Sequence, residues 1–136
     1  MKSKLETLFD FQMRAAKIEP GIAEYRFHEK RLWRFDYAWP EQRLALEIEG
    51  AVWTNGRHNR GKGFTDDCEK YSEAAILGWR IIRATGNQVE AGTALKWVER
   101  ALDGQRKEAD RIPALLSMRS SGLGRIPSRT DGIKNE

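Results

Sequence analysis

The stretch Trp33–Glu49, WRFDYAWPEQRLALEIE, decides how this chain folds. Apolar residues recur at every second position in Trp33, Phe35, Tyr37 and Trp39, and again in Leu44, Leu46 and Ile48. That is the period of a strand with one face turned to a core. Pro40-Glu41-Gln42-Arg43 between the two runs suits a four-residue hairpin loop. Opposing Trp39 to Leu44 brings Tyr37 to Leu46 and Phe35 to Ile48 on the apolar face. The other face then pairs Ala38 with Ala45, Asp36 with Glu47 and Arg34 with Glu49. A slip of one residue would set apolar against polar side chains at every pair, so the register is specified.

This register has a chemical consequence. Directly opposed residues of an antiparallel pair have Cβ atoms roughly 4.5–5.5 Å apart, and like charges placed there repel. Asp36, Glu47 and Glu49 share one face, and a divalent cation would turn their repulsion into coordination. Carboxylate oxygens are hard ligands suited to Mg²⁺ or Mn²⁺, which keep several waters and take one or two protein carboxylates. A solvated acidic hairpin face is the plainer alternative. Against it stand Ala38 and Ala45, whose small side chains on the same face let another element pack there, and the basic segment that follows.

That segment, Thr54–Gly63, carries Arg57, His58, Arg60, Lys62 and three glycines. Glycine lets a backbone approach a ligand closely, and Arg and Lys neutralise phosphates. Carboxylates followed by a basic, flexible loop suit a polyanion cut with the help of a metal; an ordinary solvated loop is the alternative. Trp53 beside the loop is available to stack on a base or to join the core.

Outward from the hairpin, residues 3–18 place Leu5, Leu8, Phe9, Met13, Ala16 and Ile18 at helical spacing before Pro20. A strand is predicted over about 22–28. Thr65 suits an N-cap, with Asp66 and Asp67 in the first turn, for a helix running to about Leu77 and closed by Gly78. Trp79–Ala84 reads as a strand. Gln88–Leu102 reads as a helix with Val89, Ala94, Trp97, Val98 and Ala101 inward. The order αβββαβα predicts an α/β domain over 1–105 with a mixed sheet of about four strands, antiparallel β1-β2-β3 then a helix then β4.

At 136 residues the chain suits one domain with a modest core. The formal charge is +4, and from Gly104 onward seven Lys and Arg against four Asp and Glu leave +3 in the tail. Attraction to a polyanion must therefore come from local patches. The tail, 106–136, is read as basic, with a short helix over 106–118 and disorder beyond. The single cysteine, Cys68, excludes an internal disulfide and a cysteine-rich zinc site, and is expected to pack within its helix. No segment approaches the ~18 apolar residues of a membrane span, and no signal-peptide pattern opens the chain. A cytoplasmic protein with no membrane partner is the expectation.

The ordered set Glu24-Tyr25-Arg26-Phe27, Trp33-Arg34-Phe35-Asp36, Leu46-Glu47-Ile48-Glu49-Gly50, His58 and Gly78-Trp79-Arg80-Ile81-Ile82-Arg83 resembles the PD-(D/E)xK nuclease superfamily. Within it, the likeness is to small phage-type endonucleases and the very-short-patch repair branch, over residues 4–103. The resemblance implies a restriction-endonuclease-like core and Mg²⁺- or Mn²⁺-dependent cutting of DNA phosphodiesters. It also implies work in recombination, repair or processing within a bacterial or phage-infected cell. Asp36 and Glu47 match the two acidic positions that hold the metal. The lysine usual two residues after the second acid is Glu49 here, either an additional or water-mediated ligand or a structural partner of Arg34. His58, Lys70 or His28 could supply the missing cation or a proton relay, and Glu6 on the first helix could add an acid. Arg57, Arg60 and Lys62 are the expected phosphate contacts. A junction resolvase of this class would work as a homodimer making paired nicks. The rival reading is a DNA-binding protein on a nuclease scaffold that no longer cuts.

Overall fold

Ser3 starts the first helix in the computed structural model, which describes residues 2–50, 60–104 and 106–107. Its hydroxyl accepts the N–H of Glu6 and the Glu6 carboxylate accepts the N–H of Ser3, a capping box for α1, Lys4–Ala15. Strands β1, Ile22–Arg26, β2, Arg34–Trp39, and β3, Leu44–Glu49, follow. A 3₁₀ turn at Pro40–Gln42, with Arg43 in the left-handed region, links β2 to β3. Helix α2, Arg60–Ile76, leads through Gly78 at φ +82° to β4, Arg80–Thr85. Thr85 caps α3, Gly86–Glu90, in a second capping box with Gln88, and residues 93–104 form α4. The chain divides into two compact units, Met1–Gly104 and Gln105–Glu136, and every labelled strand and helix belongs to the first.

The strands form one mixed sheet in the order β1-β2-β3-β4, antiparallel except for the parallel pair β3 and β4. The expected register holds at Tyr37↔Leu46, Ala38↔Ala45 and Trp39↔Leu44. On one face α1, α3 and α4 cover Tyr37, Trp39, Leu44 and Leu46 with Phe9, Met13, Val89, Ala94 and Val98. On the other, Ala74 of α2 packs with Ala38, Ala45, Phe35 and Trp79. The two alanines of the hairpin thus leave room for α2. At roughly 25 cal/mol per Å² of apolar area removed from water, these two layers supply the main drive for folding.

Several sequence expectations are corrected. The apolar residues of β2 do not all share a face: Phe35 lies with Ala38 and Ala45, opposite Tyr37 and Trp39, so Phe35 does not meet Ile48. The same reversal occurs in β1, where Ala23 lies with Tyr37 but Tyr25 lies with Phe35. Register is unchanged on both sides of it, at Ala23↔Tyr37 and Tyr25↔Phe35, so no residue has been inserted. In β1 the reversal falls at Glu24, which has a φ of +52°. Thr65 is not an N-cap, because α2 starts at Arg60 and the Thr65 hydroxyl donates to the Gly61 carbonyl one turn back. Gly61, Lys62 and Gly63 are therefore helical rather than loop. The final helix is divided by Gly92 at φ +78°. Cys68 is exposed, not packed. Residues 51–59, with Trp53, and nearly all of the tail lie outside the described residues.

Candidate metal and catalytic centre

Between β2 and β3 the backbone pairing ends at Tyr37 and Leu46, and carboxylates take over beyond it. Asp36 Oδ2 accepts the N–H of Ile48 at 2.7 Å, and Glu47 Oε2 accepts the N–H of Asp36 at 3.3 Å. Each acid is thus oriented by the other strand's main chain, and the two expected neighbours do come together. From α2, Lys70 reaches down to Glu47 Oε1 in an ion pair. Glu47 is the buried charged residue of the described core, 7% exposed. A buried carboxylate is tolerated only where it is paired and hydrogen-bonded, which these contacts achieve.

Asp36 also faces a second group of acids. Carboxylate oxygens of Glu6, Glu24 and Asp36 all lie within 4.8 Å of one another. The left-handed backbone at Glu24 therefore falls beside Asp36 at the carboxylate cluster. Tyr37 fixes the approach of α1: its hydroxyl lies 2.8 Å from Asp10 Oδ1 and 2.9 Å from the Glu6 carbonyl, sharing its proton between them. Asp10 in turn pairs with Lys2 at 2.6 Å.

Electrostatics follow from this packing. Burial pushes the Asp36 carboxyl above the ordinary carboxylate range and the Glu6 charge adds to it, outweighing the Ile48 hydrogen bond. Burial also raises Glu47, and with the Asp36 charge it outweighs the Lys70 contact. Burial and the Asp10 contact raise the Tyr37 hydroxyl, which stays protonated and available as a donor. Desolvation would raise Asp10 too, but hydrogen bonds from Lys2 and Tyr37 hold it below its usual value. Titratable groups displaced by burial and by one another, with Glu24 of the cluster exposed, mark a candidate functional site.

The other predicted residues fall as follows. Glu49 is turned to Arg83 of β4 at 2.6 Å, and not to Arg34, which lies 3.8 Å from Glu24. Burial alone would lower the Arg83 pKa, but the Glu49 hydrogen bond outweighs it and raises it. The Arg83 guanidinium also lies over the Tyr71 ring, 4.6 Å from its centroid, at the wall of an open cleft of about 480 Å³ shared with Phe64. Glu6 reaches Asp36 while serving as a helix cap. His28 lies away from the acids, 3.5 Å from Glu73. Lys62 is exposed near the start of α2. Arg57 and His58 lie outside the described residues, as does the side chain of Arg60.

Two residues gain weight beyond the sequence reading. Lys70, offered above for the missing cation, precedes buried Ala74 by four positions, so the helix period places both on the sheet-facing stripe. Glu24 had no such signal, since its direction depends on a backbone conformation that alternation does not encode.

No protein-family model matches the chain, and no solved structure matches it. It is 28% identical over 111 residues to the uncharacterized Mycobacterium tuberculosis proteins MT2308, of strain CDC 1551 / Oshkosh, and Rv2248, of strain H37Rv. The match covers 76% of this chain and 40% of each relative, so the chain spans about two fifths of the length of the curated relatives it matches.

Proposed function

We propose that the chain is a divalent-metal-dependent DNA endonuclease with a restriction-endonuclease-like core. The observation that carries this reading is the meeting of Asp36, Glu47 and Lys70, from three successive elements, at the end of the β2 and β3 pairing. A sheet built for stability alone gains nothing from two neighbouring carboxylates, one of them buried.

The donors suit Mg²⁺ or Mn²⁺. They are hard carboxylate oxygens from adjoining strands, pressed together with pKa values raised, in surroundings where Glu6 and Glu24 add negative charge. Asp36 and Glu47 would hold the ion, with Glu6 and Glu24 on its flank. A bound divalent ion supplies an activated water and charge neutralisation at the phosphate.

The chain's own groups perform the remaining work. The Ile48 and Asp36 N–H groups fix the two carboxylates in place before substrate arrives, so little reorganisation is needed. Lys70 offers three N–H donors, of which Glu47 takes one, leaving its ammonium available to a phosphate oxygen. That position supports Lys70 as the cation which Glu49 does not supply. Glu49, paired with Arg83, is better placed to hold β4 beside the site than to bind the ion. Lys62, Arg57 and Arg60 remain proposed phosphate contacts, and His58 a proposed proton shuttle.

Incubation with plasmid and branched DNA in Mg²⁺ or Mn²⁺ tests the reading. Cleavage should occur, and should be lost in Asp36→Ala and Glu47→Ala and reduced in Lys70→Met. Binding without cleavage in every metal would favour the rival, a DNA-binding protein that no longer cuts.

A further inference from the structure

The hairpin joining β1 to β2 carries a cluster of cations of which the carboxylate centre engages Arg34, through Glu24. Residues 26–34 contain Arg26, Lys30, Arg31 and Arg34 against the single acid Glu29. Arg26 and Arg34 lie directly opposite one another across the strand pair. Like charges in such a position destabilise a sheet unless an anion covers them. All four cations are exposed.

The hairpin is also held rigidly. His28 Nδ1 accepts the N–H groups of Lys30 and Arg31 at 3.1 and 3.0 Å, closing the turn. Phe27 stacks on Phe35 with ring centroids 4.1 Å apart, and Arg31 lies over Trp33 at 4.2 Å. Arg31 also bonds Glu69 of α2 at 3.2 Å, while Arg34 stands 3.8 Å from Glu24. Exposed pairs of this kind contribute about 0–1 kcal/mol, so exchanging them for phosphate contacts costs little.

Position completes the argument. Arg26 and Arg34 lie two residues along their strands from Glu24 and Asp36, a separation of about 7 Å. Successive nucleotides of one strand advance by about 3.4 Å, so a phosphodiester over the carboxylates has neighbouring phosphates within reach of both arginines. We propose that the β1 to β2 hairpin is a preformed DNA-backbone clamp, in which Arg26, Lys30 and Arg34 grip phosphates flanking the one to be cut. This rests on the nuclease reading and names where its substrate lies. The contacts are to phosphate, so the clamp positions DNA without reading its sequence.

The test is the salt dependence of binding to a fluorescent DNA duplex in EDTA, for wild type, for R26Q/K30Q/R34Q and for Lys30→Glu, with each fold checked by circular dichroism. Each lost phosphate contact should flatten the slope of log K against log salt by about 0.9, so the triple variant should lose about 2 to 3 units. Lys30→Glu, fully on the surface, should weaken binding on its own. A wild type that cleaves DNA while both variants bind as it does would overturn the clamp and leave the nuclease standing. The expected loss of slope without cleavage in any metal would sink the nuclease, and with it the placing of a cut phosphate, while keeping the hairpin as a DNA-backbone contact. No DNA binding by wild type would overturn the clamp.

Discussion

Replacing Asp36 by asparagine should stabilise the metal-free protein while abolishing the proposed DNA cleavage. The amide oxygen can still accept the N–H of Ile48, so the strand geometry survives. What disappears is one negative charge, repelled by Glu6, Glu24 and Glu47 and attracted more weakly by Lys70. Two like charges separated by the 4.8 Å limit that holds among Glu6, Glu24 and Asp36 repel by about 3.5 kcal/mol at an effective dielectric constant of ~20, and by about 0.9 kcal/mol in bulk water. Glu24 is exposed and Glu6 half-buried, so their share lies near the lower figure. The weaker hydrogen bond of a neutral acceptor takes back about 1 kcal/mol. The net gain is about 1–2 kcal/mol, which raises the melting temperature of a domain this size by about 5–10 °C. Thermal unfolding followed by circular dichroism in EDTA at neutral pH measures it. Added Mg²⁺ should raise the wild-type melting temperature and leave Asp36→Asn nearly unmoved.

The pH dependence has a definite sign. The folded pKa values of Asp36 and Glu47 lie above their unfolded ones. Their stabilising contribution is therefore complete below about pH 4 and is lost as pH rises through the folded values. Metal-free wild type should lose stability over that rise and Asp36→Asn should lose less. Asp10, whose pKa is lowered, has the opposite slope. An Asp36→Asn protein that melts no higher than wild type in EDTA, or that gains as much from Mg²⁺, would refute the electrostatic account of this centre.

Lys70→Met leaves Glu47 buried without its partner and should cost about 3 kcal/mol in urea unfolding, most of it recovered in K70M/E47Q; equal losses in both proteins would count against the pair. Thr65→Ala should change stability by under about 0.5 kcal/mol, since its hydroxyl only bonds back within α2, whereas loss of a true N-cap costs about 1 kcal/mol. Gly21→Ala would place a Cβ 2.9 Å from the Trp39 ring, which is itself held by a bond to the Glu19 carbonyl, and should lower stability by about 1–3 kcal/mol in the same assay.

Periodicity and pairing logic reach far into this molecule. Element order, the hairpin register, the inward residues of α1 and α4, and the nearness of Asp36 to Glu47 were all legible in the chain, because each follows from local spacing. The tertiary structure alone decided the rest. Strands β1 and β2 both reverse face where Glu24 is left-handed, with Phe35 on the α2 face and Arg34 beside Glu24 instead of Glu49. Lys70 became a partner of Glu47 only when α2 packed over Ala38 and Ala45. Glu49 found Arg83 only through the parallel pairing of β3 with β4, which brings Glu47 and Arg83 level. Side chains separated in sequence by a helix meet according to how layers pack, and no local period records that.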